Sequence, residues 1–203
     1  MATKGERTRE TILATAESLV LKNGYSGTSI DQIISESGIT KGGFFYHFDG
    51  KNDLAKHMVL RYLDQDARFF QMLMDRAHEL TDDPLQQMLI FVKLMAEQMA
   101  ELPDTHPGCL VASFTYESNI LNDEVRQLTA EGVLSWRRLF SAQLEKVANV
   151  YPMQVDHSPD ELADMLTSVI EGGIIMSRCL EDKSLLPKQL IGYRNFLRLA
   201  FTP

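Results

Sequence analysis

Residues 28–51 read Thr28-Ser29-Ile30-Asp31-Gln32-Ile33-Ile34-Ser35-Glu36-Ser37-Gly38-Ile39-Thr40-Lys41-Gly42-Gly43-Phe44-Phe45-Tyr46-His47-Phe48-Asp49-Gly50-Lys51. Two short helical patterns flank a glycine. Thr28 and Ser29 open the first, in which Ile30, Ile33 and Ile34 share one face and Ser29 stands three residues before Gln32, the spacing of a capping box. Gly38 breaks it, because glycine reaches positive φ without a Cβ clash. Thr40 starts the second, which runs to about His47. Two short helices around a tight glycine-containing turn have the anatomy of a helix-turn-helix. The second helix of such a pair enters the major groove and turns its leading side chains toward base edges.

Outward from this stretch, helical spacing persists and no sustained alternation of the strand type occurs. The first helix, about Lys4 to Lys22, puts Ile12, Leu13, Ala16, Leu19 and Val20 on one stripe and stops at Asn23-Gly24. Gly50 to Asp53 begins a long fourth helix reaching about Leu80. Stops follow at Thr81 to Pro84, Pro103 to Gly108 and Val150 to Pro159. They leave helices near 84–101, 109–118, 123–149, 159–181 and 186–201. The expected fold is all-α with about nine helices: a three-helix head in residues 1–57, joined by the long helix to a larger bundle in residues 58–203.

The chain has 203 residues, 44% hydrophobic and 24% charged, enough to bury a substantial core and fold throughout. Its net charge of −8 speaks at first against a nucleic-acid partner. The charge is unevenly spread. Residues 1–57 hold seven basic side chains (Lys4, Arg7, Arg9, Lys22, Lys41, Lys51, Lys56) against seven acids (Glu6, Glu10, Glu17, Asp31, Glu36, Asp49, Asp53), so the whole deficit falls in residues 58–203. Any DNA contact belongs to the neutral first quarter. Cys109 and Cys179 form neither a disulfide framework nor a CxxC zinc pair. The charged start of the chain is followed by no apolar signal segment, and no run is long enough to span a membrane, so the expected compartment is the cytoplasm, with the nucleoid when DNA is bound.

Residues 38–54, Gly-Ile-Thr-Lys-Gly-Gly-Phe-Phe-Tyr-His-Phe-Asp-Gly-Lys-Asn-Asp-Leu, closely resemble the signature of the TetR (tetracycline-repressor) family. The resemblance reaches back through Arg9-Glu-Thr-Ile-Leu, Gly24-Tyr25 and Thr28, over about the first 57 residues. Thereafter only the helical layout and length agree. It implies a bacterial repressor that binds a palindromic double-stranded operator as a homodimer and is released by a small ligand held in the C-terminal domain.

Carried onto this chain, the resemblance implies that Thr28 caps its helix against a phosphate and that Tyr46, His47 and Lys51 hold the DNA backbone. Lys41, Gly43 and Phe45 occupy the positions that look toward bases, where Lys41 suits guanine O6 or N7 and Phe45 a thymine methyl. Thr40 fits either role. Gly43 offers no side chain toward the bases, and Gly42 beside it weakens the short helix by roughly 1 kcal/mol relative to Ala. Base readout is therefore sparse, leaving discrimination to DNA shape or to ordering of the helix on DNA. Phe44 and Phe48 are read as core, whereas Arg7 and Arg9 either reach a phosphate or solvate the first turn.

In the bundle, Met95, Cys109, Phe114, Trp136, Phe140 and Met165 are candidates to line an apolar or mixed-polarity inducer pocket. A Met and aromatic cluster at helical spacing is equally the pattern of plain packing. Cys109 follows Pro107-Gly108 at a helix start, where the dipole favours a thiolate, so it is either a redox or electrophile sensor or an inert buried thiol. The last two helices carry broad apolar faces, and the resemblance assigns them to the dimer interface, with Gly172, Gly173, Met176, Leu190 and Phe196 as candidates. Two other classes fit the sequence less well. A helical metalloenzyme of the di-iron type requires two Glu-x-x-His pairs, and no histidine here has Glu three residues before it. A non-specific nucleoid-type protein requires an extended basic surface, which the chain lacks outside the head. No catalytic residue, metal or cofactor is expected.

Overall fold

The computed structural model describes residues 3–201, which form nine α-helices and one 3-10 turn and contain no strand. The helices are α1 (Lys4–Asn23), α2 (Ile30–Ser37), α3 (Lys41–His47), α4 (Lys51–Leu80), α5 (Pro84–Ala100), α6 (Leu110–Tyr116), α7 (Asp123–Val150), α8 (Pro159–Cys179) and α9 (Leu185–Phe201), with the 3-10 turn at Ser118–Ile120 between α6 and α7. Among the described residues no helix is long and apolar enough to cross a membrane.

Local chemistry accounts for most boundaries. Thr3, Ser29 and Ser158 each cap a helix in a full capping box, paired with Glu6, Gln32 and Glu161 three residues on. Asp83 caps α5 by accepting from the Gln86 N–H at 2.7 Å, and Pro84 takes the first turn, where its missing N–H costs nothing. Gly38 closes α2 in the left-handed region at φ 67°.

The chain divides into two compact units, each assembled from separated stretches. The first comprises Met1–Gln65 and Pro107–Gly132, the second Asp66–His106 and Val133–Pro203. The first unit is thus larger than the 1–57 head expected from sequence. Its core joins Ile12, Leu13, Ala16 and Val20 of α1 and Ile33 of α2 to Phe44, Phe48, Leu54 and Met58, and it takes in Leu110 and Phe114 of α6 with Leu121 and Val125. The 107–132 stretch, which the sequence reading gave to the bundle, supplies a wall of the head.

In the second unit α9 is the axis, packed against both α5 and α8. Phe70, Phe91 and Phe140 form an aromatic triangle with centroids 5.2 to 6.3 Å apart. Two of its buried polar side chains, Gln143 and Tyr193, are paired. Gln143 donates to the Pro84 carbonyl and to Gln87 Oε1, both at 3.0 Å, and the Tyr193 hydroxyl donates to the Leu162 carbonyl at 2.7 Å.

Candidate nucleic-acid interface

The second helix of the pair, α3, has two faces set by its own spacing. Phe44 and the following cap residue Phe48 point inward and are fully buried, their centroids 5.7 Å apart. One residue further round, Phe45 and Tyr46 are 47% and 82% exposed, and Lys41 and Gly42 are exposed with them. Seven residues cannot form a stable helix alone, so the two inward phenylalanines hold α3 in place. Thr40 caps its start by accepting from the Gly43 N–H at 3.1 Å. The outward face then presents Lys41 and Phe45 one turn apart at the leading end. Tyr46 and the half-buried His47 lie at the trailing end in an edge-to-face pair, centroids 4.9 Å apart. The exposed aromatics and the lysine thus share one face of a helix whose other face is packed.

Two of the expected phosphate contacts are placed differently. The cap of α2 is Ser29, while Thr28 is fully buried and donates its hydroxyl to the Gly24 carbonyl at 2.8 Å. Thr28 therefore ties the α1–α2 turn from inside and offers no hydroxyl to DNA. Lys51 is half-buried; its ammonium donates to the Tyr25 carbonyl at 2.5 Å and sits 4.2 Å from the centroid of the Tyr25 ring. Burial lowers its pKa, and the nearby Glu117 charge opposes that shift. Arg9 lies over the Phe48 ring, its guanidinium carbon 5.3 Å from the centroid, whereas Arg7 is exposed.

Sequence reasoning missed Glu117. Its carboxylate accepts from the N–H groups of Tyr25 at 2.6 Å and Ser26 at 2.8 Å, and from the Ser26 hydroxyl. Burial pushes the carboxyl pKa up, but the bonds from Ser26 and Tyr25 and the Lys51 charge outweigh it and hold the group below the usual glutamate value. Nothing local marks a residue that acts across more than ninety positions. Arg61 makes a second long-range tie, bridging Glu10 at 2.6 Å and Glu17 at 2.5 Å on α1.

The pocket candidates separate. Met95 and Phe140 are buried in the core of the second unit, and Trp136 packs against that core. Phe114 instead lies in the core of the head, edge-on to Tyr25 at 5.3 Å. Cys109 is buried and caps α6, its sulfur accepting from the Ala112 N–H at 3.4 Å. Met165 is 38% exposed on α8. One polar atom stands out: the Trp136 indole N–H is buried and has no hydrogen-bond partner among the described residues.

The dimer candidates also fall on opposite faces. Leu190 is fully buried in its own core, and Gly173 is buried against Leu186. Phe196 is partly buried against the same core, whereas Met176 is exposed and Gly172 has nothing within 4 Å of its Cβ position; with Met165, Ile175, Gly192 and Leu199 these two make an apolar stripe along α8 and α9. Among the described residues no cluster of His, Cys, Asp or Glu is arranged to hold a metal ion.

Comparison with known proteins points the same way as this geometry. Residues 12–58 match the profile of bacterial regulatory proteins of the tetR family, and residues 84–189, more than half the chain, match that of the tetracyclin repressor-like C-terminal domain. An uncharacterized HTH-type transcriptional regulator of Bacillus subtilis (strain 168), YxaF, is 28% identical over 91% of either chain. The HTH-type transcriptional repressor NemR of Escherichia coli (strain K12) is 22% identical over 94% of either chain. A crystal structure of a TetR transcriptional regulator from Chloroflexus aurantiacus J-10-FL superposes with a TM-score of 0.81, at 22% identity and over 98% of each chain.

Proposed function

The chain belongs to the tetR family of bacterial regulatory proteins and is a helix-turn-helix transcriptional regulator, and from that premise we propose that it represses by binding a palindromic operator as a homodimer and is released by a small ligand. The outward face of α3 carries the proposal. Lys41 and Phe45 read base edges, Tyr46 and His47 hold phosphates, and Thr40 and Gly43 set the helix start close to the DNA. Lys51 keeps its phosphate role, using the N–H groups that the Tyr25 carbonyl leaves free. Thr28 acts only through the shape of the turn.

The outward stripe on α8 and α9 is the proposed seat of the second copy, because exposed Met165, Ile175, Met176 and Leu199 lie along one line with two glycines whose Cβ positions are empty. A two-fold dimer presents two copies of α3, hence an inverted-repeat operator. The ligand belongs to the second unit, around Met95, Trp136 and Phe140. An indole N–H can only donate, and a buried donor without a partner is costly, so the ligand has an apolar body and one hydrogen-bond acceptor.

Selection from a randomised DNA library with the purified protein tests the whole proposal, followed by binding to the enriched site across a salt series. An enriched inverted repeat is expected. Affinity that depends on salt alone, with no enriched sequence, overturns it in favour of non-specific binding.

A further inference from the structure

We propose that Glu117, far outside the helix-turn-helix sequence, is a positioning residue for DNA binding: its carboxylate fixes the Tyr25–Ser26 turn and, through the Tyr25 carbonyl, pre-sets Lys51 for the DNA backbone. The inference rests on the proposed phosphate role of Lys51.

Tyr25 is a hub with every group engaged. Its N–H donates to Glu117 Oε1 at 2.6 Å, and its carbonyl accepts from Lys51 Nζ at 2.5 Å. Its ring lies edge-on to Phe114 at 5.3 Å, and its hydroxyl donates to Asn52 Oδ1 at 3.3 Å. Glu117 and Phe114, three residues apart at the end of α6, thus grip the backbone and the ring of one residue. The Glu117 contact is built into the chain rather than casual. Gly24 has φ 79°, and a Cβ there would stand 2.9 Å from Glu117 Oε1, so a side chain at that position would obstruct the carboxylate. The carboxylate receives two successive backbone N–H groups and a hydroxyl, charge-assisted bonds of the stronger kind.

The consequence reaches Lys51 through one peptide unit. A free lysine samples many rotamers and loses that freedom when it captures a phosphate. Here the Tyr25 carbonyl takes one of three N–H donors and the ring steadies the ammonium at 4.2 Å, so the head group is placed before DNA arrives. Without Glu117 the turn loses the acceptor for two N–H groups, and the carbonyl that directs Lys51 loses its fixed position.

The test is a double-mutant cycle in the full chain, measured as affinity for the operator duplex selected by the wild-type protein. Glu117→Ala is expected to weaken binding about tenfold when Lys51 is present and less than twofold further in Lys51→Met. The salt slope of Glu117→Ala falls by about one, as in Lys51→Met, because one phosphate contact is lost. Glu117→Gln keeps the shape but has only one acceptor oxygen, and is expected to weaken binding about threefold. It carries the test if the alanine variant unfolds. Additive losses or an unchanged salt slope would mean a merely structural role, and tighter binding by Glu117→Gln would mean simple repulsion of DNA; each overturns the proposal. Absence of any selected operator for the wild type overturns the underlying reading instead, which separates the two failures.

Discussion

Gly173 lies directly against Leu186: a Cβ added to the glycine would stand 2.7 Å from Leu186 Cδ1 and 3.1 Å from its Cα, while the adjacent Gly172 has nothing within 4 Å. One glycine lets α9 approach α8, and the other leaves a shallow place on the outer surface. Nearby, the Leu186 N–H donates to the buried Ser177 hydroxyl at 3.0 Å, so the α8–α9 corner has little room to shift. Gly173→Ala is expected to lower stability by about 1–3 kcal/mol through overpacking. Gly172→Ala is expected to raise it by up to about 1 kcal/mol through helix propensity, as read by urea denaturation of the two variants at one protein concentration. Equal effects would mean that the glycines do not face opposite sides.

Faces of the same two helices separate assembly from folding. Met176→Arg and Leu199→Glu are expected to yield a folded monomer in analytical ultracentrifugation, because both side chains are exposed in the single chain. Leu190→Ala, in the core, is expected to cost about 2–5 kcal/mol of stability by leaving a cavity. A Met176→Arg protein that stays dimeric would remove α8 from the interface.

On α3 the distinction is between position and sequence. Tyr46→Ala is expected to weaken binding to all duplexes by a similar factor, about tenfold, since a phosphate contact carries no sequence information. Lys41→Ala is expected to relax preference at one base pair, with a loss of about 1–3 kcal/mol for the preferred base only. Parallel selections with the three proteins would display the difference directly.

How legible was all this in the amino-acid chain? Helix ends were, because caps are local: Ser29 with Gln32, Thr40, Gly38 and Pro84 all stand at the boundaries their chemistry dictates. The inner and outer faces of α3 also followed from spacing, with Phe44 and Phe48 buried as expected. What was not legible depends on pairing between distant segments. Periodicity marks Phe114 as buried without saying in which core, and it lies in the head. The same limit applies to the two adjacent glycines of α8, to the tie from Glu117 to the α1–α2 turn, and to Thr28, whose hydroxyl turns inward to Gly24.

Trp136 is the only tryptophan in the chain, which turns its unpartnered N–H into a built-in reporter. Binding of an inducer found by screening apolar carbonyl compounds is expected to shift the intrinsic fluorescence. Trp136→Phe, which keeps an aromatic ring and removes the donor, is expected to raise the inducer concentration needed for operator release about threefold to tenfold, the worth of one neutral hydrogen bond. An unchanged response would place the ligand elsewhere.

Tyr25 gives the head an alkaline limit. Burial, with a smaller contribution from the Glu117 charge, pushes its hydroxyl from 10.0 up to about 12. The neutral form is favoured by folding, so the stabilisation is complete below pH 10 and is lost as pH rises from 10 toward 12. Tyr25→Phe has no such proton to lose. Denaturant titrations between pH 9 and 11.5 should show wild-type stability falling more steeply than that of the variant, and parallel curves would contradict the burial of Tyr25.

The head draws its wall from Pro107–Gly132, well after the helix-turn-helix has been made. During synthesis the recognition element therefore emerges from the ribosome long before Leu110, Phe114, Leu121 and Val125 exist to close its core. At about 5–20 residues per second that is a wait of several seconds, in which apolar residues of α1 and α4 stay uncovered. The nascent chain reaches a DNA-competent shape only after the start of α7 is complete, so a truncation after α4 would yield a client for chaperones rather than a small autonomous DNA-binding fragment.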